Sequence, residues 1–153
     1  MLFRSYHSVA LLLPDGRVVA AGGNPDKGKQ APWLPPDPNE ELQLELYSPP
    51  YLFRGPRPVI ASAPDKFAYG STVEIQSPGA GGIRWASLIK GGATTHSFNT
   101  SQRLVDLPIQ AQGAGKLSVQ VTADRNIAPP GWYMLFLTDN DRVPSQASWV
   151  KLS

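Results

Sequence analysis

The 153-residue sequence has no cysteine and only two histidines, His7 and His96. Without cysteine there can be no disulfide, no thiolate-bound zinc and no thiol nucleophile within this chain. There is also no long apolar run. The stretch Val9-Ala10-Leu11-Leu12-Leu13 is closed at once by Pro14-Asp15-Gly16, too soon for a membrane span or the core of a secretory signal. If the parent protein is exported, the signal is expected upstream of Met1. Charge of one sign is equally scarce: 14 Lys and Arg against 12 Asp and Glu give a net charge of +2. The basic residues are scattered rather than striped, so nucleic-acid binding has no footprint. The acidic patch Asp37, Glu40, Glu41 and Glu45 reads as a solvated loop and strand face. Gly79-Ala80-Gly81-Gly82 and Gly113-Ala114-Gly115-Lys116 lack the spacing and following helix of a phosphate loop, and Leu117 stands where Ser or Thr is needed. Both read as turns. No G-x-S-x-G nucleophile elbow is present.

What the chain does contain is punctuation. Sixteen prolines and 14 glycines with 41% apolar residues argue for many short strands and almost no helix. Residues 8–13 and 17–21 flank Pro14-Asp15-Gly16 as a hairpin. The second run ends in Gly22-Gly23, the pattern of one kelch-type propeller blade. Residues 42–47 supply a candidate next strand of that blade, with an exposed loop over 24–39. Blades bury their faces against one another, and only one copy is present. Residues 1–47 are therefore expected to be the terminal part of a kelch β-propeller. From Ser48 onward, Pro49, Pro50, Pro56 and Pro58 bracket Tyr51-Leu52-Phe53 as a stiff connector. Strand candidates follow at 59–61, 72–76, 83–89, 96–99, 104–109, 117–121 and 132–137, with an extra one at 148–152. About seven short strands separated by turns every 8 to 12 residues is the pattern of an immunoglobulin-like sandwich. The expected fold is all-β, with the sandwich over 48–153. The run 132–137 is apolar on both faces, as a central strand is.

Chemistry is concentrated around the two histidines. His7 lies in Arg4-Ser5-Tyr6-His7-Ser8 and His96 in Thr94-Thr95-His96-Ser97-Phe98-Asn99-Thr100. Two imidazoles and a phenol form a mixed N,O donor set that suits Cu(II) better than a hard ion such as Mg²⁺. The plain alternative is two unrelated, satisfied side chains. Neither histidine has a second histidine or a carboxylate at ligand spacing. Tyr6 and His7 would also point to opposite faces of a regular strand, and could share an ion only at a strand end, bulge or bend. Two weaker signals are Asn99-Thr100-Ser101, formally a glycosylation acceptor, and Trp33, either a sugar-stacking platform or a cover for apolar surface.

Arg4-Ser5-Tyr6-His7-Ser8 running into Leu11-Leu12-Leu13-Pro14-Asp15-Gly16-Arg17-Val18 resembles the copper radical oxidases, the galactose oxidase and glyoxal oxidase family. So do Tyr47-Ser48-Pro49-Pro50-Tyr51-Leu52, Thr95-His96-Ser97-Phe98-Asn99-Thr100-Ser101-Gln102-Arg103, Pro130-Gly131-Trp132-Tyr133-Met134-Leu135-Phe136 and Val143-Pro144-Ser145. The resemblance implies a seven-bladed kelch propeller followed by an immunoglobulin-like early-set domain, with one copper at the propeller axis. It makes Tyr6 the axial ligand and catalytic residue, with His7 and His96 as the histidine ligands. His96 would ride on a hairpin, hinged at Gly91-Gly92, that enters the propeller hole. The implied reaction takes a primary alcohol or aldehyde plus O₂ to the aldehyde or acid plus H₂O₂. In it the axial phenolate accepts the substrate proton, and a second tyrosine, cross-linked to cysteine, holds a radical. A phenol of pKa about 10 becomes an effective base only where its anion is favoured, as on a bound cation. This chain departs from that pattern, because with no cysteine the Tyr-Cys cofactor cannot form within it. The expectation is a C-terminal, copper-ligand-bearing portion that is inactive alone. Its partner would be an N-terminal propeller, in the same longer protein or a separate chain, and its location extracellular or at the cell surface. The alternatives are a non-catalytic sandwich that binds carbohydrate or protein, or a structural spacer.

Overall fold

Alternation of apolar and polar residues builds several of the sandwich strands, those at Thr72–Gln76, Lys116–Gln120 and Ser148–Leu152 among them. In Thr72–Gln76, Val73 and Ile75 are buried while Thr72, Glu74 and Gln76 are exposed, as a strand with one face on a core requires. The computed structural model describes residues 8–22, 43–95 and 98–153. The expectations placed on Tyr6, His7, Trp33, the 24–39 loop and His96 lie outside the described residues. In chain order the strands are β1 Val9–Leu12, β2 Val18–Ala21, β3 Glu45–Tyr47, β4 Lys66–Phe67, β5 Thr72–Gln76, β6 Ile83–Lys90 and β7 Thr94–Thr95. They continue with β8 Phe98–Asn99, β9 Arg103–Asp106, β10 Ile109–Gly113, β11 Lys116–Gln120, β12 Gly131–Asp139 and β13 Ser148–Leu152. Among the described residues the only helical pieces are short 3₁₀ turns at Pro50–Phe53 and Ala80–Gly82. No helix there is long and apolar enough to cross a membrane.

Two sheets face each other as a sandwich, one in the order β10-β11-β5 and one in the order β4-β13-β12-β6-β9. Between them lie Ile75, Leu117 and Val119 from the first and Leu88, Leu135, Leu137 and Val150 from the second. The run from residue 132 is indeed central: β12 pairs with β13 on one side and β6 on the other. Tyr133, Leu135 and Leu137 enter the core cluster, while Met134 and Phe136 are buried on the opposite face.

Three details differ from the sequence pattern. Residues 104–109 form two strands rather than one, because Pro108 has no N–H to give a ladder. The chain uses Leu107-Pro108 to cross from the five-stranded sheet at β9 to the three-stranded sheet at β10. Residues 59–61 make no strand, only a backbone bond from Ala61 N–H to the Gln76 carbonyl beside an isolated bridge at Ser62. Finally β13 is an interior strand, since its far side pairs in parallel with the two-residue β4, which is too short to leave a periodic signal.

The first three strands form a separate antiparallel sheet in the order β1-β2-β3, joining the expected third run to the hairpin over Glu45–Tyr47. Unlike the sandwich, this sheet contributes no residue to the core. β1 and β2 are half-buried apart from the exposed Ala10, and all of β3 is exposed, with Leu46 at 55% and Tyr47 at 58%.

Candidate metal centre and its scaffold

Tyr6, His7 and His96 lie outside the described residues, and the structure describes the elements on either side of them. Tyr6 and His7 immediately precede Ser8 and β1 in the chain. On either side of His96-Ser97, Thr95 pairs with Phe98 and Thr94 with Asn99. The β7–β8 pair is a two-stranded sheet of its own, and Thr95, Phe98, Asn99 and Thr100 are all exposed. At its base, Thr100 N–H and hydroxyl both reach the Ala93 carbonyl. Gly92 lies against the exposed Asn99 carboxamide, which would have to swing aside for a Cβ at that position. The glycine pair thus sits at the foot of a narrow, solvent-exposed hairpin. Among the described residues no group of three or more His, Cys, Asp or Glu side chains could hold a metal ion. The donor set available in the sequence, one phenol and two neutral imidazoles, is chemically suited to Cu(II).

The structure adds a joint that sequence patterns did not reveal. The turn between β1 and β2 presents three consecutive carbonyls to the rest of the molecule, and each is captured. Ala147 N–H donates to the Pro14 carbonyl at 2.8 Å. Arg57 Nη1 donates to the Asp15 carbonyl at 2.7 Å. The Tyr51 hydroxyl donates to the Gly16 carbonyl at 2.6 Å. Arg57 also reaches into the loop before β13, with Nε donating to the Pro144 carbonyl at 2.9 Å and Nη2 to the Ser145 carbonyl at 2.5 Å. One planar guanidinium therefore ties the β1–β2 turn to the sandwich, a geometry that a flexible ammonium cannot reproduce. Burial shapes both partners: it lowers the Arg57 pKa below the usual arginine range and raises that of Tyr51 above 10.0. Tyr51 thus keeps the proton it donates. Gly16 has φ +81° and is packed so closely that a Cβ would lie 3.2 Å from Leu52 Cδ2 and 3.4 Å from Arg57 Nη2.

Beside this joint an open cleft of about 710 Å³ runs along the outer face of β6 and β12, lined by Leu12, Tyr51, Trp85, Phe136, Arg84 and Arg142 among others. Trp85 Nε1 donates to Asp106 Oδ1 at 2.6 Å, which fixes the indole on the cleft wall. Of the groups that capture the turn carbonyls, only Tyr51 left a trace in the sequence, as an aromatic in a proline-rich connector. Arg57 carries no signal, because its role depends on carbonyls from turns that are far apart in the chain.

Comparison with known proteins places this scaffold. Residues 57–152 match the family described as "Galactose oxidase-like, Early set domain". The chain is 39% identical over 162 residues to the aldehyde oxidase GLOX of Vitis pseudoreticulata, covering 97% of this chain and 30% of that protein. It is 33% identical over 159 residues to the galactose oxidase of Gibberella zeae, covering 99% of this chain and 22% of the relative. Among solved structures, a fungal alcohol oxidase of the AA5 family in complex with copper superimposes with a TM-score of 0.79 at 33% identity, over 98% of this chain and 31% of the other. The chain therefore spans less than a third of the length of each of these relatives. An all-β sandwich, carrying an exposed hairpin around one histidine and matched across 57–152, belongs to the galactose oxidase-like early-set family.

Proposed function

We propose that this chain is the C-terminal, ligand-bearing portion of a copper radical oxidase that converts a primary alcohol, or an aldehyde as its hydrate, with O₂ to the aldehyde or acid and H₂O₂. The observation that carries the proposal is the end-to-end match of 97–99% of this chain to relatives named as aldehyde and galactose oxidases, with Tyr6-His7 and His96 present in this sequence. On this reading residues 1–47 are the terminal part of a kelch propeller and residues 48–153 the early-set sandwich. The burial contrast supports it. Strands that carry Leu11, Val18 and Val19 only half-bury them, and a blade completes its burial only against neighbouring blades. The relatives' extra length is room for those blades, which would form the partner of this chain.

Tyr6, His7 and His96 would hold the ion. Copper supplies one-electron redox chemistry and favours the phenolate of a bound tyrosine. The work of the chain's own residues is then to position and to move a proton. His7 and His96 act as neutral nitrogen donors. Tyr6 takes the proton of the substrate hydroxyl as general base. His96 is carried between β7 and β8, which pair as a small exposed sheet of their own. The cross-linked Tyr-Cys group cannot come from a chain without cysteine, so this portion alone is inactive, and activity requires the upstream propeller. An extracellular or cell-surface site follows from the same family reading.

The test is made in the parent protein that contains this segment. His96→Ala should lower Cu(II) affinity at least tenfold while leaving the sandwich's thermal unfolding unchanged. Tyr6→Phe should retain copper and lose most turnover. Native copper affinity in His96→Ala, or unaltered kcat in Tyr6→Phe, would remove the assignment.

A further inference from the structure

We propose that Arg57, seconded by Tyr51, is a positioning residue: it locks the β1–β2 turn to the sandwich and thereby sets how the segment bearing Tyr6 and His7 stands relative to the hairpin bearing His96. The last step rests on the copper reading above, and the lock itself does not.

The argument starts from connectivity. Two proposed ligands lie directly before β1 and the third between β7 and β8. These elements belong to different sheets that share no ladder hydrogen bonds. Residues 48–65, between β3 and β4, contain no named strand, and their far end is bonded to the sandwich through Ala61 and Ser62 at Gln76 and Asp65 at Lys151. Orientation is fixed by hydrogen bonds across the joint. It is supplied at the turn of the β1–β2 hairpin, where the carbonyls of Pro14, Asp15 and Gly16 are taken by Ala147, Arg57 and Tyr51. Ala147 joins the two bodies through one backbone bond to Pro14, whereas Arg57 is the side chain that bonds carbonyls of both, Asp15 on one side and Pro144 and Ser145 on the other. Hydrogen bonds to a charged donor are the stronger kind, and removing it would strand three carbonyls in a partly buried joint. Since β1 is a short, paired strand, fixing its far end fixes the direction of β1 itself. If the joint is loosened so that the aligned arrangement is populated only about a tenth of the time, apparent ligand affinity falls about tenfold.

The chain contains no cysteine, so two spin labels can be placed at will. Ala10→Cys on β1 and Ala111→Cys on β10 are exposed strand positions on the two bodies. Electron–electron distance measurement on the full chain should give one narrow distribution. Arg57→Gln should broaden it severalfold, and Arg57→Lys should not restore it. An unchanged narrow distribution in Arg57→Gln overturns the lock. Should Arg57→Gln fail to fold, Tyr51→Phe removes one hydrogen bond only, and the same reading applies: broadening supports the lock, a native distribution overturns it. In the copper-loaded parent, Arg57→Gln should weaken Cu(II) binding about tenfold and shift the copper EPR parameters with unchanged sandwich unfolding. A broadened distance with native copper affinity would overturn the link from lock to ligands. A native parent that binds no copper would instead sink the copper reading and leave the lock standing.

Discussion

At the scale of single residues, the β1–β2 turn shows how a local sequence signal and a tertiary one meet on the same few atoms. Pro14-Asp15-Gly16 was legible as a turn, and Asp15 closes it locally. Its Oδ1 accepts from Arg17 N–H at 3.0 Å and its Oδ2 from Arg17 Nε at 2.7 Å. The backbone bond from Arg17 is the main cause of an Asp15 pKa below the ordinary 3.8. A folded-state pKa lower than the unfolded one contributes stability that is complete above the unfolded value and disappears as pH falls through the folded value. Asp15→Asn should therefore flatten the part of the acid limb that lies below about pH 4, with little change at neutral pH, in thermal melts from pH 6 to pH 2. The effect is small, because the pair is 34–41% exposed and solvent screens it. An acid limb identical to that of the unsubstituted chain would show the turn carboxylate to be uncoupled from folding. Arg57, by contrast, has the same composition value as any other arginine. Its importance lies in three carbonyls brought to it from two distant turns, which no spacing rule encodes.

At the scale of elements, strand identity followed the period-2 pattern wherever one face meets a core. β5 and β11 alternate strictly enough to be read directly, and β12 announces its central place by being apolar on both faces. The pattern failed where pairing rather than burial makes the strand. β4 has two residues and exists because β13 offers it a free edge. The break at Leu107-Pro108 reflects a change of sheet, visible in the sequence only as a proline inside an apolar run. The hairpin around His96 is a third case. Its two pairs bury almost nothing, so its geometry depends on close approach at its foot. Gly92→Ala would drive a methyl into the Asn99 carboxamide, whose Nδ2 donates to Gln102 Oε1 at 3.2 Å. The exposed carboxamide would swing aside and give up that bond, at a cost of roughly 0.5–1.5 kcal/mol confined to the hairpin. Hydrogen exchange should show the Thr100 amide, bonded to the Ala93 carbonyl, exchanging faster while core amides of β12 keep their protection. Native exchange at Thr100 would mean that the glycine is dispensable.

For the whole molecule, stability is concentrated in the sandwich. Leu135 is fully buried in the strand that holds the five-stranded sheet together. Leu135→Ala should cost roughly 2–5 kcal/mol, lowering the thermal midpoint by about 2–4 °C per kcal/mol for a domain of this size. A shift of under 1 °C in calorimetry would place the cooperative core elsewhere. The β1–β3 sheet stands in a different position: it is well paired but only half-covered, and it is held to the sandwich by the turn carbonyls rather than by a shared apolar interior.

By itself the sequence determined the all-β class, the hairpin, the connector, the central strand, and the family motifs around Tyr6, His7 and His96, because each is carried by neighbours in the chain or by a short period. The change of sheet at Pro108, the pairing of β4 with β13, and the Arg57 joint were decided only in the tertiary structure. Each depends on groups that are remote along the polypeptide and meet only after the core has formed, so their energies attach to spatial proximity and not to any local order of residues.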